Sequence, residues 1–531
     1  MFTDRMRAWL KWPTVALACL AMPALAGAQE VADKAAGAAT EVAAAAAPAA
    51  ATPPAVDSGS TAWMLIYAAL VLLMVPGLAL FYGGMVRAKN VLNMFLSVMV
   101  CCGVMGVVWV VVGYAMVFPV VDPTGGEAGA NALIAIGANE YPDPADPAKT
   151  VSATVSILGW DANLAMFRAF GQDGTFGGNI TSGDTIGAKD TGVPELAFAI
   201  FQGMFFIITP ALIVGAVAER IRFAPMLLFL TLWALIVYCP IAHMVWNVNG
   251  YLFQKGVMDF AGGTVVHVLA GVSALALCLV IGPRKGYGTT PMPPHSLGLT
   301  LIGAGLLWFG WFGFNAGSAI AVPAADLPVA GRVAVGAFAN TQIAAAAAAL
   351  AWMLIEWLKD GKPTILGFAS GMVAGLVVIT PCAGHVAPAS SLVIGLIGGT
   401  VCYFGCRLKN VLKYDDSLDA FGVHGIGGAL GAVLVGYFAI RPVMGGMEQV
   451  VKQATGLAIA AVFAFVVSMV LGYAIKFTIG LRPTEEDELT GLDLSLHGEK
   501  GYHMEDDLIG GTYSPAVPSA SAGVGAVATA R

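Results

Sequence analysis

The sequence predicts an all-α membrane protein of eleven transmembrane helices, built as two inverted repeats of five with one helix added. Three observations predict it. The chain is 58% hydrophobic and only 11% charged, where a soluble protein carries roughly 25% charged residues. A core of soluble size cannot hide that much apolar surface, so lipid must be the solvent for most of the chain. Apolar stretches separated by short charged loops recur from Trp63 to Phe477. Two histidines embedded in such stretches, His267 and His424, sit five spans apart.

The first residues read as a leader. Arg5, Arg7 and Lys11 form a positive start, Val15 to Leu25 is apolar, and small-x-small cleavage options follow at Ala24–Ala26 and Ala26–Ala28. That is the pattern of a secretory signal peptide, over residues 1–28, and its apolar part is too short to cross a bilayer core of about 30 Å. An Ala/Pro-rich segment, residues 29–61, follows with no periodic pattern and is expected to be a disordered linker.

The membrane domain is expected over residues 62–479. Its spans read as Trp63–Tyr82, Val91–Phe118, Leu196–Ala218, Ala224–His243, Gly263–Ile281, Ser296–Phe314, Val333–Leu358, Ile365–Pro381, Leu392–Cys406, Phe421–Ile440 and Thr455–Phe477. A helical span needs about 20 residues; the eighth and ninth are short. Backbone polar groups in lipid must bond internally, which makes these segments helices. Cleavage of the leader places the new N-terminus outside and an odd number of spans places the C-terminus inside. The inner loops then carry eleven Lys and Arg residues, among them Arg87, Arg220, Arg284 and Lys409, and the short outer loops carry four: Lys255, Arg332, Arg441 and Lys452. The positive-inside rule agrees.

Two segments lie outside this plan. Residues 120–194 form a long outer loop rich in Gly, Asp and Asn, without a helical period and expected to be partly ordered. Residues 480–531 form a cytoplasmic tail, whose first half is charged and whose end, from about Ser514, is low-complexity. The net charge of −7 comes without a basic patch, which argues against nucleic acid as a partner. The eight cysteines show no CxxC pair and no metal-ligand spacing, so neither a disulfide framework nor a zinc site is expected.

Ionisable groups within spans are costly and mark cavities or transport paths. His267 lies in DFAGGTVVHVLAG and His424 in DAFGVHGIGGALG. Asp259 precedes the first by eight residues and Asp419 the second by five, so the likeness of the two stretches is loose. The fifth and tenth spans run in opposite directions, and an axis in the membrane plane would bring the two imidazoles together near the midplane. The bland alternative is that each ring merely bonds a neighbouring helix. Uncharged imidazoles, which both donate and accept, suit a small neutral hydrogen-bonding solute better than a bare cation. Glycines crowd both stretches and favour close helix packing and a narrow pore. Trp246, in IAHMVW, reads either as an interfacial residue or as a ring that attracts a cation. Phe205 and Phe314 read on periodicity as core.

At these residues the sequence resembles the ammonium transporter family in its bacterial branch. The likeness rests on DFAGGTVVH (259–267), GWFGFNAGSA (310–319), DAFGVHG (419–425), FQGMF with ITPALIVGAVAERIRF (201–223) and PIAHMVW (240–246), and it covers about Trp63 to Tyr502. The resemblance implies eleven helices in a five-plus-five inverted repeat, a homotrimer with one pore per subunit, and no enzymatic activity or cofactor. It implies that Trp246, Phe205 and Ser318 bind ammonium at an outer site and that Phe205 and Phe314 stack as a gate below. His267, His424 and Trp311 would line the pore, and Asp259 would support the outer site and cap its helix. A bacterial inner-membrane location is implied, with methylammonium as a substrate analogue. A PII signal protein is the implied cytoplasmic partner, met by loops and the tail, of which LRPTEEDELTGLDLSLHGE is similar to the family's. A sensor or PII-docking platform with little net flux is the second reading; an intramembrane enzyme using the His pair on a metal is a third, which lacks a third ligand. The outer loop is longer than the family's usual connection.

Overall fold

A computed structural model describes residues 56–119, 130–142, 150–170, 179–181, 190–321 and 330–502. The expected leader, nearly all of the linker and the tail beyond Tyr502 lie outside these residues.

Ten of the described helices are long and apolar enough to cross a membrane. They are α1 (Ser58–Met85), α2 (Ala88–Val117), α3 (Glu195–Val217), α4 (Phe223–Trp246), α5 (Gly263–Ile281), α6 (Leu297–Gly317), α7 (Gly331–Asp360), then α9 (Pro388–Leu412), α10 (Phe421–Phe438) and α11 (Met447–Thr478). Between α7 and α9 lies α8 (Ile365–Ile379), of 15 residues. At 1.5 Å per residue it is too short for the hydrocarbon thickness. Eleven of its 15 residues are buried, including all from Gly371 to Ile379, so much of α8 is surrounded by protein and not lipid. A final short helix, α12 (Glu485–Thr490), starts on a capping box between Thr484 and Asp487.

The helices start where side chains satisfy their free N–H groups. Asp57 accepts from Gly59 N at 2.8 Å and Ser60 N at 3.1 Å to open α1. Thr364 accepts from Gly367 N at 2.8 Å to open α8. Glycines set how closely the helices approach: a Cβ at Gly303 of α6 would run into the backbone of Phe81 in α1, and one at Gly310 would strike Met74. The α5–α10 crossing is tighter still, because a Cβ at Gly271 would fall on the backbone of Gly425.

The membrane body is all-α, but the long excursion after α2 contains strands that its composition did not announce. Strand β1 (Ala130–Pro142) pairs antiparallel with β2 (Thr150–Asp161), and β3 (Asn179–Thr181) pairs with β4 (Asp190–Pro194). Three register shifts in the first pair break the two-residue alternation, which is why the segment lacks a strand signature. The hairpin is fastened to α4. The buried His243 lies 2.7 Å from Ser156 Oγ through Nε2 and 2.8 Å from Val117 O through Nδ1. Asn249 Nδ2 donates to Thr154 O at 3.0 Å.

At the opposite end of the bundle, a charged network joins four interhelical loops. Arg220, fully buried, donates through Nε to Gly282 O at 2.7 Å and through Nη1 to Ser417 Oγ at 2.6 Å. Arg284 pairs with Asp415 at 2.8 Å and Glu219 at 3.2 Å, and Arg87 pairs with Glu219 at 2.8 Å. Burial pushes the Asp415 carboxyl up, and the Arg284 and Arg220 guanidiniums more than reverse this, leaving it below its ordinary value. The first part of the tail lies against the same loops. Asp493 accepts from Leu92 N at 3.1 Å and Asn93 N at 2.7 Å, Glu488 accepts from Lys285 N at 2.9 Å, and His295 Nε2 lies 2.9 Å from Tyr502 Oη.

Candidate functional site

Asp259 begins the site. Its carboxylate accepts four backbone N–H groups, from Gly262 (3.0 Å), Gly263 (2.6 Å), Thr264 (3.0 Å) and Val265 (3.0 Å). These are the free donors of the first turn of α5, and one side chain takes them all. The turn is possible because Gly262 has φ of 108°, a conformation that side chains disfavour. The first residues of α5, Gly263–Val268, run as a π-helix that carries His267. Such wide turns recur at functional sites.

The second histidine is held by a matching device, on a residue the sequence reading passed over. Asp416, eight residues before His424 as Asp259 is before His267, accepts from Ala420 N at 3.1 Å and Phe421 N at 2.7 Å. His424 then follows on the π-turn Phe421–Gly425 that opens α10. Asp419, the counterpart expected from the shared Asp and Phe, has φ of 60° and pairs with Lys409 at 2.7 Å. The loose interval was an alignment on the wrong aspartate; the equal offset of eight residues was the available signal.

The two rings meet. Their Nδ1 atoms are 3.3 Å apart and the rings lie within 21° of parallel. One Nδ1 must therefore carry hydrogen and the other a lone pair. His267 Nε2 is buried without a partner among the described residues. Trp311 stacks on His267 at 5.3 Å and donates to Thr380 Oγ1 at 2.8 Å, which fixes its indole. The Trp311 and Phe314 ring centres are 5.3 Å apart.

Towards the end of the bundle where α5 begins, the ring centres of Phe205 and Phe314 lie 4.3 Å apart with the planes tilted by 37°, and each residue is 1% exposed. Phe205 also meets Trp246 edge-on at 5.8 Å. Trp246 ends α4, is half-buried, and donates from Nε1 to Asp259 O at 3.0 Å. Ser318 donates to Phe314 O at 3.0 Å, so its hydroxyl faces other groups as an acceptor. Phe205, Trp246, Asp259 and Ser318 line a vestibule of about 300 Å³. Gln202, missed in the sequence, lines it too; its Oε1 is buried and has no partner among the described residues. Its place in FQGMF, three residues before Phe205, is what points to it. Beyond the phenylalanines the space shrinks to about 10 Å³, lined by His267, His424, Trp311 and Phe314 with Leu and Val side chains. That is about one water molecule's room. Among the described residues no group of three or more His, Cys, Asp or Glu could hold a metal ion.

A membrane-crossing bundle with an aromatic vestibule, a closed pair of rings and a dry, imidazole-lined passage defines a channel-like transporter of a small solute. The comparisons with known proteins give it a family. The model of the Ammonium Transporter Family matches residues 62–145 and 148–502, and the chain belongs to that family. It is 42% identical over 457 residues to a Bacillus subtilis ammonium transporter, covering 84% of this chain and 99% of the relative. The crystal structure of Saccharomyces cerevisiae Mep2 is similar with a TM-score of 0.66 and 31% identity, covering 85% of this chain and 95% of the other. A structure described as a sensor Amt protein matches with a TM-score of 0.67 and 26% identity, over 82% and 98% of the two chains. The chain is a multi-pass membrane protein and an ammonium transporter.

Proposed function

We propose that this chain admits ammonium to the vestibule at Trp246, Phe205 and Ser318, where it gives up a proton to the aqueous phase on the vestibule side, and passes ammonia between Phe205 and Phe314 and along His267, His424 and Trp311. One observation carries the reading: a vestibule of about 300 Å³ narrows to about 10 Å³ of apolar space in which the polar atoms are imidazole nitrogens, one of them unpartnered. A cation at the bilayer centre costs about 2.5–3.5 kcal/mol even on lenient scales. Ammonium escapes that cost by losing a proton, and potassium cannot. Gln202 Oε1 and Ser318 Oγ offer lone pairs to the N–H groups of ammonium, and the rings attract its charge. Asp259 acts through α5 by fixing Trp246 and the turn before His267.

The test is uptake of labelled methylammonium into proteoliposomes with simultaneous current recording. The double variant His267→Ala and His424→Ala is expected to lose flux at least tenfold or to admit potassium. Flux and potassium exclusion both intact in that variant would sink the reading.

The finer architecture belongs to the same proposal. Eleven crossings follow if α8 is counted, as a five-plus-five inverted repeat with α11 added. The antiparallel pair α5 and α10, each opened by an aspartate eight residues before its histidine, supports this. The chain is proposed to work as a homotrimer in a bacterial inner membrane, with a leader over 1–28, a linker over 29–61, the 62–479 membrane domain and a cytoplasmic tail over 480–531. The vestibule and the 120–194 excursion then face outward. The tail, seated on the loops after α1 and α5, supports docking of a PII signal protein at that face. The same seating favours a second reading, a sensor with little flux. Removal of residues 481–531 separates the two: a sensor loses signalling while methylammonium uptake continues.

A further inference from the structure

Recruitment and passage are selected by different physics in this molecule. The vestibule holds about 300 Å³, thirty times the volume of the passage below it. Ammonium occupies about as much space as a water molecule, which needs about 10–15 Å³ on the same measure. Ligand pockets of about 300 Å³ and more accommodate whole organic molecules. The vestibule is therefore far too large to recognise ammonium by fit.

Its chemistry is equally permissive. The lining includes Phe118, Phe201, Phe205, Trp246, Phe253 and Phe260. The polar acceptors are few. All four backbone N–H groups near Asp259 are spent on its carboxylate, which leaves that group little to offer a ligand. Gln202 Oε1 and the Ser318 hydroxyl oxygen remain, with Gln449 and His385 elsewhere in the lining. Two cations also line the vestibule, Arg441 and Lys452, and Lys452 is paired with Glu448 at 2.8 Å. A site with many aromatic rings and few neutral acceptors holds a cation by its charge and its apolar surface more than by its N–H groups. Replacing N–H by methyl keeps the charge and adds apolar surface, and aromatic-lined sites are suited to quaternary ammonium ions.

We propose that the vestibule is a binding site for small quaternary ammonium ions, which occupy the recruitment site and are stopped at the Phe205–Phe314 pair. This rests on the vestibule's being the ammonium recruitment site. Such ions act as plugs and not as cargo: the ring pair at 4.3 Å and the passage of about 10 Å³ exclude four methyl groups, and a quaternary nitrogen has no proton to lose.

Tetramethylammonium is the probe. Calorimetry on the full chain in detergent reads binding without reference to flux, and proteoliposomes then read methylammonium uptake with the probe added on the vestibule side. The expected result is saturable binding, competitive inhibition (a raised apparent KM at unchanged maximal flux), and no uptake of labelled tetramethylammonium. Phe253→Ala, which removes one of the lining rings, is expected to weaken inhibition at least threefold when the inhibition constant is read against the variant's own KM for methylammonium. Absence of binding together with absence of inhibition at a hundredfold excess over methylammonium overturns the proposal, as does accumulation of the probe inside. If methylammonium flux itself is absent, the transport reading fails, and calorimetry still decides whether the vestibule takes the quaternary ion.

Discussion

The two pore histidines hang from helices that begin alike and are held unequally. Asp259 gathers four N–H groups at the start of α5. Asp416 gathers two at the start of α10, with the Asp419 carboxylate beside it and Lys409 near enough to bond the Asp416 carbonyl at 3.0 Å. One anchor is built for rigidity. The other sits among charges that respond to the aqueous phase, on the loop that also contacts Arg284 and, through Lys285, the tail. The difference teaches that one local device, an aspartate eight residues ahead of a histidine, can be made stiff or responsive by its neighbours alone.

The comparison can be broken at its strongest point first. Asp259→Ala strands four buried donors, each worth about 1–3 kcal/mol when left unmade, and is expected to destabilise the protein by about 3 kcal/mol or more. Asp416→Ala strands two and is expected to cost about 1–2 kcal/mol, a typical cap loss. Thermal unfolding in detergent ranks them, and equal losses would show the two anchors to be equivalent. Next comes Gly271→Ala, which drives a methyl into the backbone of Gly425 and must part α5 from α10. Overpacking of this kind costs about 1–3 kcal/mol. Methylammonium flux is expected to fall more than stability alone explains, because the same crossing sets the 3.3 Å between the rings.

The smallest effect is the sharpest in sign. Burial, and then the Asp419 carboxylate, push Asp416 up to about 6, against the pull of Lys409 and the two N–H groups. The fold therefore prefers the neutral acid, and ionisation above that pH works against stability. Asp416→Asn removes the titrating carboxyl together with the acceptor for one of the two N–H groups. Wild type is expected to gain thermal stability relative to this variant as pH falls from 7 through about 6 towards the ordinary carboxylate value of 3.8. A difference between the two that does not change with pH would place the ionisation elsewhere.

Hydropathy made the spans legible, because lipid imposes a length and a composition that few other solvents do. The expected span Gly263–Ile281 and the helix coincide. The ends of α7, α9 and α11 extend further than the apolar windows, since helices continue into polar residues once they leave lipid. The α8 helix was read as a span from hydropathy, although its burial removes the demand for full length. The meeting of His267 and His424 was legible as a symmetry argument, and the geometry brings those rings together. Asp416 is hidden because a shared Asp and Phe ahead of each histidine outweighs an equal spacing. The strands β1–β4 were hidden for another reason: a bulged hairpin has no steady alternation for a pattern to detect. His243 reads as one more polar residue near a helix end, and its partners Ser156 and Val117 are too distant in sequence to suggest themselves.

Main chain lies against main chain where Gly271 crosses Gly425. The spacing of α5 and α10 is thereby set by peptide planes, which cannot change rotamer, while the side chains of His267, His424, Trp311 and Phe314 line the passage. Such a frame holds the two imidazoles at a fixed separation when residues at the mouth drift, so sequence variation there can retune what is attracted without altering what is let through.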